Sequence, residues 1–275
     1  MYKRFNAIQT FVVSSMFLLL LLPWDSFLGT KMDIMNSLAL PSMKHPLGTD
    51  SMGRDFLVRF HETIIASIIP IWVICLVVTI FSILFTILVL GSKFKRLDNF
   101  ISGINVLVVS VPTTILALFL SVYFEEVCFE ILIITLSILI FSRNYSFLSS
   151  QYKRSMNLGF WKSHEMMGGS QLSRIWKYGI IGAWKKGLTE LFFIHLQLAF
   201  IIEITMSYLG FGIQEPLPSF GNMFKSHFDL ILRGDFYSIS IIVVFMCIIL
   251  LVPRILYKSI ILSPYTFQTD LKETH

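Results

Sequence analysis

Long apolar runs alternate along this chain with short stretches that are basic, turn-rich or both. The apolar runs cover roughly residues 5–22, 64–90, 100–123, 127–142, 189–212 and 238–257. A helix needs about 20 residues to cross ~30 Å of hydrocarbon, and these runs approach or exceed that length. Lipid offers no partner to an unpaired backbone N–H or C=O, so each run predicts a helix rather than a strand or coil. The pattern therefore predicts an all-α membrane protein with six transmembrane helices. The fourth run is the shortest and contains Glu130. The implied division is a first transmembrane helix over 1–22, an external loop over 23–63, a transmembrane core over 64–257 and a tail over 258–275. Within the core lies a long polar loop over 143–188.

Composition points the same way. Of the residues 55% are hydrophobic and 14% charged, with 26 Phe, whereas soluble domains are about a quarter charged. Residues 1–22 could also be read as a cleaved leader, since Lys3 and Arg4 precede the apolar run. No small-x-small cleavage site follows in PWDSFLGT, so a retained helix is expected.

The basic residues set the orientation. With six spans, the N-terminus, the 91–99 loop, the 143–188 loop and the tail share one side. They hold Lys3, Arg4, Lys93, Lys95, Arg96, Arg143, Lys153, Arg154, Lys162, Arg174, Lys177, Lys185, Lys186, Arg254, Lys258 and Lys272, sixteen of the 22 Lys and Arg. Lys31, Lys44, Arg54, Arg59, Lys225 and Arg233 fall on the other. The positive-inside rule then places both termini in the cytoplasm. The net charge of +5 is accounted for by this asymmetry, and a nucleic-acid partner is not expected. The chain is expected in the cell membrane, in contact with lipid.

Few chemistries are written into the chain. It has no GxxxxGK[ST] phosphate loop, no HExxH and no GxSxG elbow. The histidines at 45, 61, 164, 195, 227 and 275 never pair at ligand spacing, and Cys75, Cys128 and Cys247 form no CxxC. Neither a metal site nor an enzyme is indicated. Glu125, Glu126 and Glu130 read as a solvated external acidic loop.

Three stretches are too specified to be ordinary turns. HPLGTDSMGRD (45–55) packs turn formers and charges into the first external loop. SYLGFGIQEPLPSFGNMF (207–224) ends an apolar run with Gly210, Gly212, Gly221, Pro216 and Pro218, which free or forbid particular backbone angles. In SHEMMGGSQLSRIWKYGII (163–181), Gly168 and Gly169 separate two helical stretches, the second N-capped by Ser170.

The first two stretches resemble signatures of one permease family, the C-type subunit of dipeptide/oligopeptide/nickel ABC importers. SYLGFGIQEPLPSFGNMF is similar to SFLGLG-x-x-P-x-P-S-W-G-x-M-L at the end of the fifth helix. HPLGTDSMGRDFLVR (45–59) is similar to HPLGTD-x-x-GRD-x-x-x-R in the first external loop. The resemblance runs from about residue 40 to 255. It implies a type I ABC importer permease fold, a second homologous permease subunit, two cytoplasmic ATPase subunits and an extracellular solute-binding protein. Its implied cargo is a short peptide, or nickel as ion or chelate. ATP would be bound by the partner subunits, and this chain would carry no cofactor.

The third motif departs from the family pattern. Met166-Met167-Gly168-Gly169-Ser170 fits Ala-Leu-Gly-Ala-Ser, but Lys162-Ser163-His164 replaces the usual Glu-Ala-Ala and Ile181 stands at the usual proline. The resemblance makes this the ATPase-coupling loop, with Met166, Met167, Leu172 and Trp176 as its apolar knob. The departure also admits a second reading, a non-transporting sensor or assembly factor derived from a permease. Gly48, Asp50, Gly53, Arg54 and Asp55 are expected to brace the external loop, with contact to cargo or binding protein as the alternative. Glu203 shares a helical face with Ala199, Phe200, Met206, Ser207 and Gly210, which is expected to turn toward the pathway or the second permease, together with Gly212, Pro216, Pro218 and Gly221. His195 and Gln197 on the same segment read equally well as glue between helices.

The charge asymmetry makes a direct prediction. Single cysteines at Lys162 and Lys177 should label with an impermeant maleimide from the cytoplasmic face, and at Lys44 and Lys225 from the external face. Labelling of 44 and 162 from the same face would contradict the six-span topology.

Overall fold

Helix boundaries in this chain fall where a proline, glycine or capping side chain interrupts an apolar run. The computed structural model describes residue 22 and residues 33–91, 95–123, 129–213 and 217–261. The expected first span, the acidic pair Glu125 and Glu126, Pro216 and most of the tail lie outside these residues. Among the described residues the regular structure is helical and no strand occurs. Nine helices can be followed: α1 (Phe56–Gly91), α2 (Lys95–Ser110), α3 (Thr113–Tyr123), α4 (Phe129–Ser155), α5 (Gly159–Met166), α6 (Gln171–Arg174), α7 (Lys185–Leu209), α8 (Phe220–Phe228) and α9 (Phe236–Ile261).

Four of these contain stretches long and apolar enough to cross a membrane: Phe56–Gly91, Glu130–Ser155, Lys185–Leu209 and Phe236–Ser259. The run expected as one span over 100–123 is built of two helices, α2 and α3, bent by 91°. Pro112 is the cause. Proline cannot donate to a helix and pushes the residue before it, Val111, toward extended backbone. The carbonyl of Pro112 accepts from Ile115 N and Leu116 N, at 3.0 and 3.1 Å, and so opens α3. The described residues thus hold four spans, or five if the bent pair is one.

Two other boundaries move. The span expected from residue 64 begins at Phe56, because Asp55 caps it by accepting from Leu57 N at 2.7 Å. Between Ile64 and Ile68 this helix widens to a π-helical turn. Pro70 follows directly; its missing N–H leaves the Ala66 carbonyl without its usual donor, and a wide turn absorbs that loss. The span expected to stop at 142 runs on to Ser155. Its polar continuation is held by Asp98 of α2, which accepts from Tyr145 Oη at 2.8 Å and Ser149 Oγ at 3.1 Å and pairs with Lys153 Nζ at 3.0 Å. Asn144 Nδ2 donates to Ser82 Oγ at 2.8 Å, tying α4 to α1. Residues that read as a loop are one face of a helix with polar partners across from it.

The chain divides into two compact units. Of the described residues, the first takes those up to 71, residue 129 and those from 200 on, and the second those over 72–123 and 130–199. The first is built on stacked rings, Phe60 lying 3.9 Å from Phe245 and 5.8 Å from both Phe56 and Phe220, with Phe200 edge-on to Phe220. The second centres on Leu90, Leu148, Trp161, Ile175, Trp184 and Leu188. Trp184 Nε1 donates to Ser155 Oγ at 3.0 Å, so the indole is buried with its polar atom satisfied.

Candidate functional site

In the first unit the two long motifs, some 150 residues apart in sequence, are joined through α1 and His227. The motif at 45–55 is organised around Asp50, which is 1% exposed. Its Oδ1 accepts from the backbone N–H of Met52 and Arg54, both at 2.8 Å, and its Oδ2 accepts from Arg54 Nε at 2.7 Å. An aspartate that closes a turn with its own carboxylate is fixing backbone shape. Gly48 and Gly53 stand at φ +76° and +72°, and a Cβ on either would lie within 2.4 Å of the carbonyl oxygen of Ala39 or Asp33. Asp55 caps α1 with Oδ1, and its Oδ2 meets His45 Nδ1 at 3.1 Å. Asp50 and Asp55 are buried, so neither is open to cargo in this arrangement. The geometry is that of a brace.

The second motif folds back on itself. Helix α7 ends at Leu209, with Gly210 in the left-handed region at φ +89°. Ser219 caps α8 by accepting from Asn222 N at 3.1 Å, and the Asn222 amide donates to Ile213 O. Helix α8 then lies against the end of α7 at the closest approach a backbone permits. A Cβ on Gly221 would sit 2.5 Å from Ile204 O and 2.8 Å from Tyr208 N. Only hydrogen fits there.

Contacts from α1 join the motifs. Ser67 Oγ donates to Pro218 O at 2.9 Å, and Thr63 Oγ1 lies 3.6 Å from Met223 Sδ. His227 of α8 bridges to the external loop. Its Nδ1 lies 2.8 Å from Met223 O, which assigns the proton to that nitrogen, and its Nε2 accepts from Ser51 N at 3.4 Å. Burial holds the imidazole below its ordinary pKa, which keeps Nε2 unprotonated and able to accept. The Phe56 ring lies 5.6 Å from this histidine.

Glu203 is enclosed at the end of α7. Glu203 and Ser207 are both fully buried within their own unit, and Ser207 Oγ donates to Glu203 Oε1 at 3.0 Å while accepting from Ile213 N at 3.1 Å. A carboxyl enclosed in this way presents nothing to a pathway or a second subunit in this conformation. It holds the turn that follows α7. The helical face itself is as the spacing indicates: Ala199, Phe200, Met206 and Ser207 are buried, and Ile201 is exposed.

The second unit carries the third motif. Helix α5 ends at Met166, and Gly168 turns the chain at φ +77° with no atom within 4 Å of where a Cβ would be. Ser170 caps α6 by accepting from Ser173 N at 3.2 Å. Met166 and Met167 stand 84% and 74% exposed at the turn. Leu172 is divided: it is half exposed, yet one of its methyls fills the space where a side chain on Gly91 would go. Glu165 pairs with Arg174 at 2.9 Å, and Arg174 lies over the Trp161 ring, closing α5 onto α6.

Sequence reasoning missed Ser51, Ser67 and His227 as links between the motifs, and Asp98 as the anchor of α4. Asp98 carried a signal, being an acidic residue at the head of an apolar segment. The others look like ordinary polar residues until the motifs are brought together.

Comparison with known families adds to this geometry. Residues 82–260, well over half of the chain, match the family described as binding-protein-dependent transport system inner membrane component. No curated protein matches the chain.

The α7–α8 contact makes a prediction. Gly221→Ala would put a methyl against backbone atoms that cannot step aside, an overpacking cost of about 1–3 kcal/mol. Its melting temperature in detergent should fall by several degrees, whereas Gly103→Ala, exposed within α2 with nothing within 4 Å, should hold or slightly raise it. Equal melting of the two variants would contradict the close approach.

Proposed function

The chain belongs to the binding-protein-dependent transport system inner membrane components, and from that membership we propose that it is one of two permeases forming an ABC importer's pathway. It works with a second homologous permease, two cytoplasmic ATPases and an extracellular solute-binding protein. Its six spans leave both termini in the cytoplasm. The cargo is a short peptide, or nickel as ion or chelate, a reading supported by the likeness of residues 45–59 and 207–224 to the peptide and nickel permeases. ATP is bound by the partners, and this chain performs no chemistry of its own.

The observation that carries coupling is the methionine pair at the Gly168 turn. Two adjacent large apolar side chains standing in solvent at the apex of a folded helix–turn–helix are suited to an apolar groove on another protein. Burying a methionine side chain contributes about 1.5–3 kcal/mol, and methionine adapts its shape to an irregular pocket. The segment lacks the acidic residue and the proline usual in its relatives, yet it keeps its cap, its glycine turn and its ion pair. An ordered turn of this kind favours a working coupling element over a decayed one. In the first unit, the buried brace of Asp50, Arg54 and Asp55 and the closed α7–α8 turn give the external mouth a fixed shape against which a solute-binding protein can dock.

A test follows from Gly168. A β-branched residue at positive φ costs on the order of 1–3 kcal/mol, and the open space around it means the penalty comes from the backbone alone. In the purified transporter, Gly168→Val should abolish cargo-stimulated ATP hydrolysis while leaving the chain in the membrane. Gly168→Asn, which tolerates the left-handed region, should retain most of it. Full stimulation by the valine variant would remove this loop as the coupling element.

A further inference from the structure

We propose that Gln171 is the positioning residue that ties the ATPase-facing turn to the ends of two membrane spans. This rests on the reading of residues 159–184 as the coupling segment and adds to it the link by which movement reaches the membrane. Gln171 is the first residue of α6, immediately after the Ser170 cap. Its amide nitrogen donates to Leu90 O at 2.7 Å and to Tyr152 Oη at 2.5 Å. A primary amide has two N–H groups, and here both are used.

The two acceptors belong to different spans. Leu90 is in the last turn of α1, where the helix leaves its carbonyls without intrahelical donors. Tyr152 is in the last turn of α4. One side chain of the loop therefore caps the end of α1 and holds the end of α4 at the same nitrogen. Apolar contacts set the same register. Leu172 fills the side-chain space left by Gly91 at the end of α1, and Tyr152 packs edge-on to Trp161 of α5, 5.8 Å between centroids. Three residues separate Gln171 from Met167, and they comprise the Gly168 turn and the Ser170 cap. A displacement of the methionine pair is passed to α1 and α4 together through the amide, because no other side-chain hydrogen bond described for this segment reaches both helices.

The arrangement separates two properties that a merely structural role would lose together, ATPase binding and the work obtained per ATP. Gln171→Met keeps the length and removes both donors, and Gln171→Glu keeps the shape but cannot donate when ionised. Neither touches Met166 or Met167. In the reconstituted importer both variants should keep ATPase co-purification and ATP hydrolysis. Cargo moved per ATP should fall about fivefold to tenfold, the factor that a net hydrogen bond is worth. Tyr152→Phe, which keeps the ring packing, should lose less. Tyr152→Phe combined with Gln171→Met should be no worse than Gln171→Met alone, since one amide serves both bonds. Unchanged cargo per ATP in both Gln171 variants would overturn the link, as would loss of the ATPase from both, which would make Gln171 part of the docking surface. If no ATPase accompanies the wild-type chain, the coupling reading itself fails, and the link with it.

Discussion

Every interruption of a helix in or near a bilayer exposes backbone groups that hydrocarbon cannot satisfy, so the protein must satisfy them itself. The fold of this chain is largely a set of answers to that constraint. Asp55 caps the start of α1, and Ser219 caps α8. Ser207 receives the N–H of Ile213 beyond the glycine turn, and Ser67 reaches the Pro218 carbonyl. Gln171 takes the Leu90 carbonyl. A buried group left unpaired costs about 1–3 kcal/mol, more than most single contacts contribute. The polar residues around the breaks are thus as strictly specified as the prolines and glycines that make them.

Two consequences concern function. In the first unit, the closed turn after α7 has Gly221 at its close approach and the Glu203–Ser207 hydrogen bond beside it. In the second unit, the segment after α4 exposes Met166 and Met167, while Gln171, Trp161 and Trp184 hold it to its own helices. The family match supplies the transport context.

Much of this was legible in the sequence, for definable reasons. Apolar runs disclosed the helical membrane class because hydrocarbon permits few alternatives. Glycines 48, 53, 168 and 210, all at positive φ, stood in stretches that read as turns. The bend at Pro112 was equally visible as a residue, but the run around it is so apolar that hydropathy conceals the break. The length of α4 could not be read at all: Asn144, Tyr145, Ser149 and Lys153 resemble a loop until Ser82 and Asp98 are placed opposite them. Around Glu203 the sequence is ambiguous, because small neighbours on a helical face suit a lined cavity and a tight helix seam alike. In the structure, the close approach at Gly221 forms a tight seam beside it.

The central claim is that the Gly168 turn of this chain seats in an ABC ATPase. A photo-crosslinking residue placed at Met166 or Met167, activated in native membranes and followed by mass spectrometry of the purified adduct, tests it most directly. The account predicts an adduct with an ATPase subunit from either position, and none from Leu217 in the external motif. Absence of an ATPase adduct at both 166 and 167, from a chain still associated with its transporter partners, would contradict it.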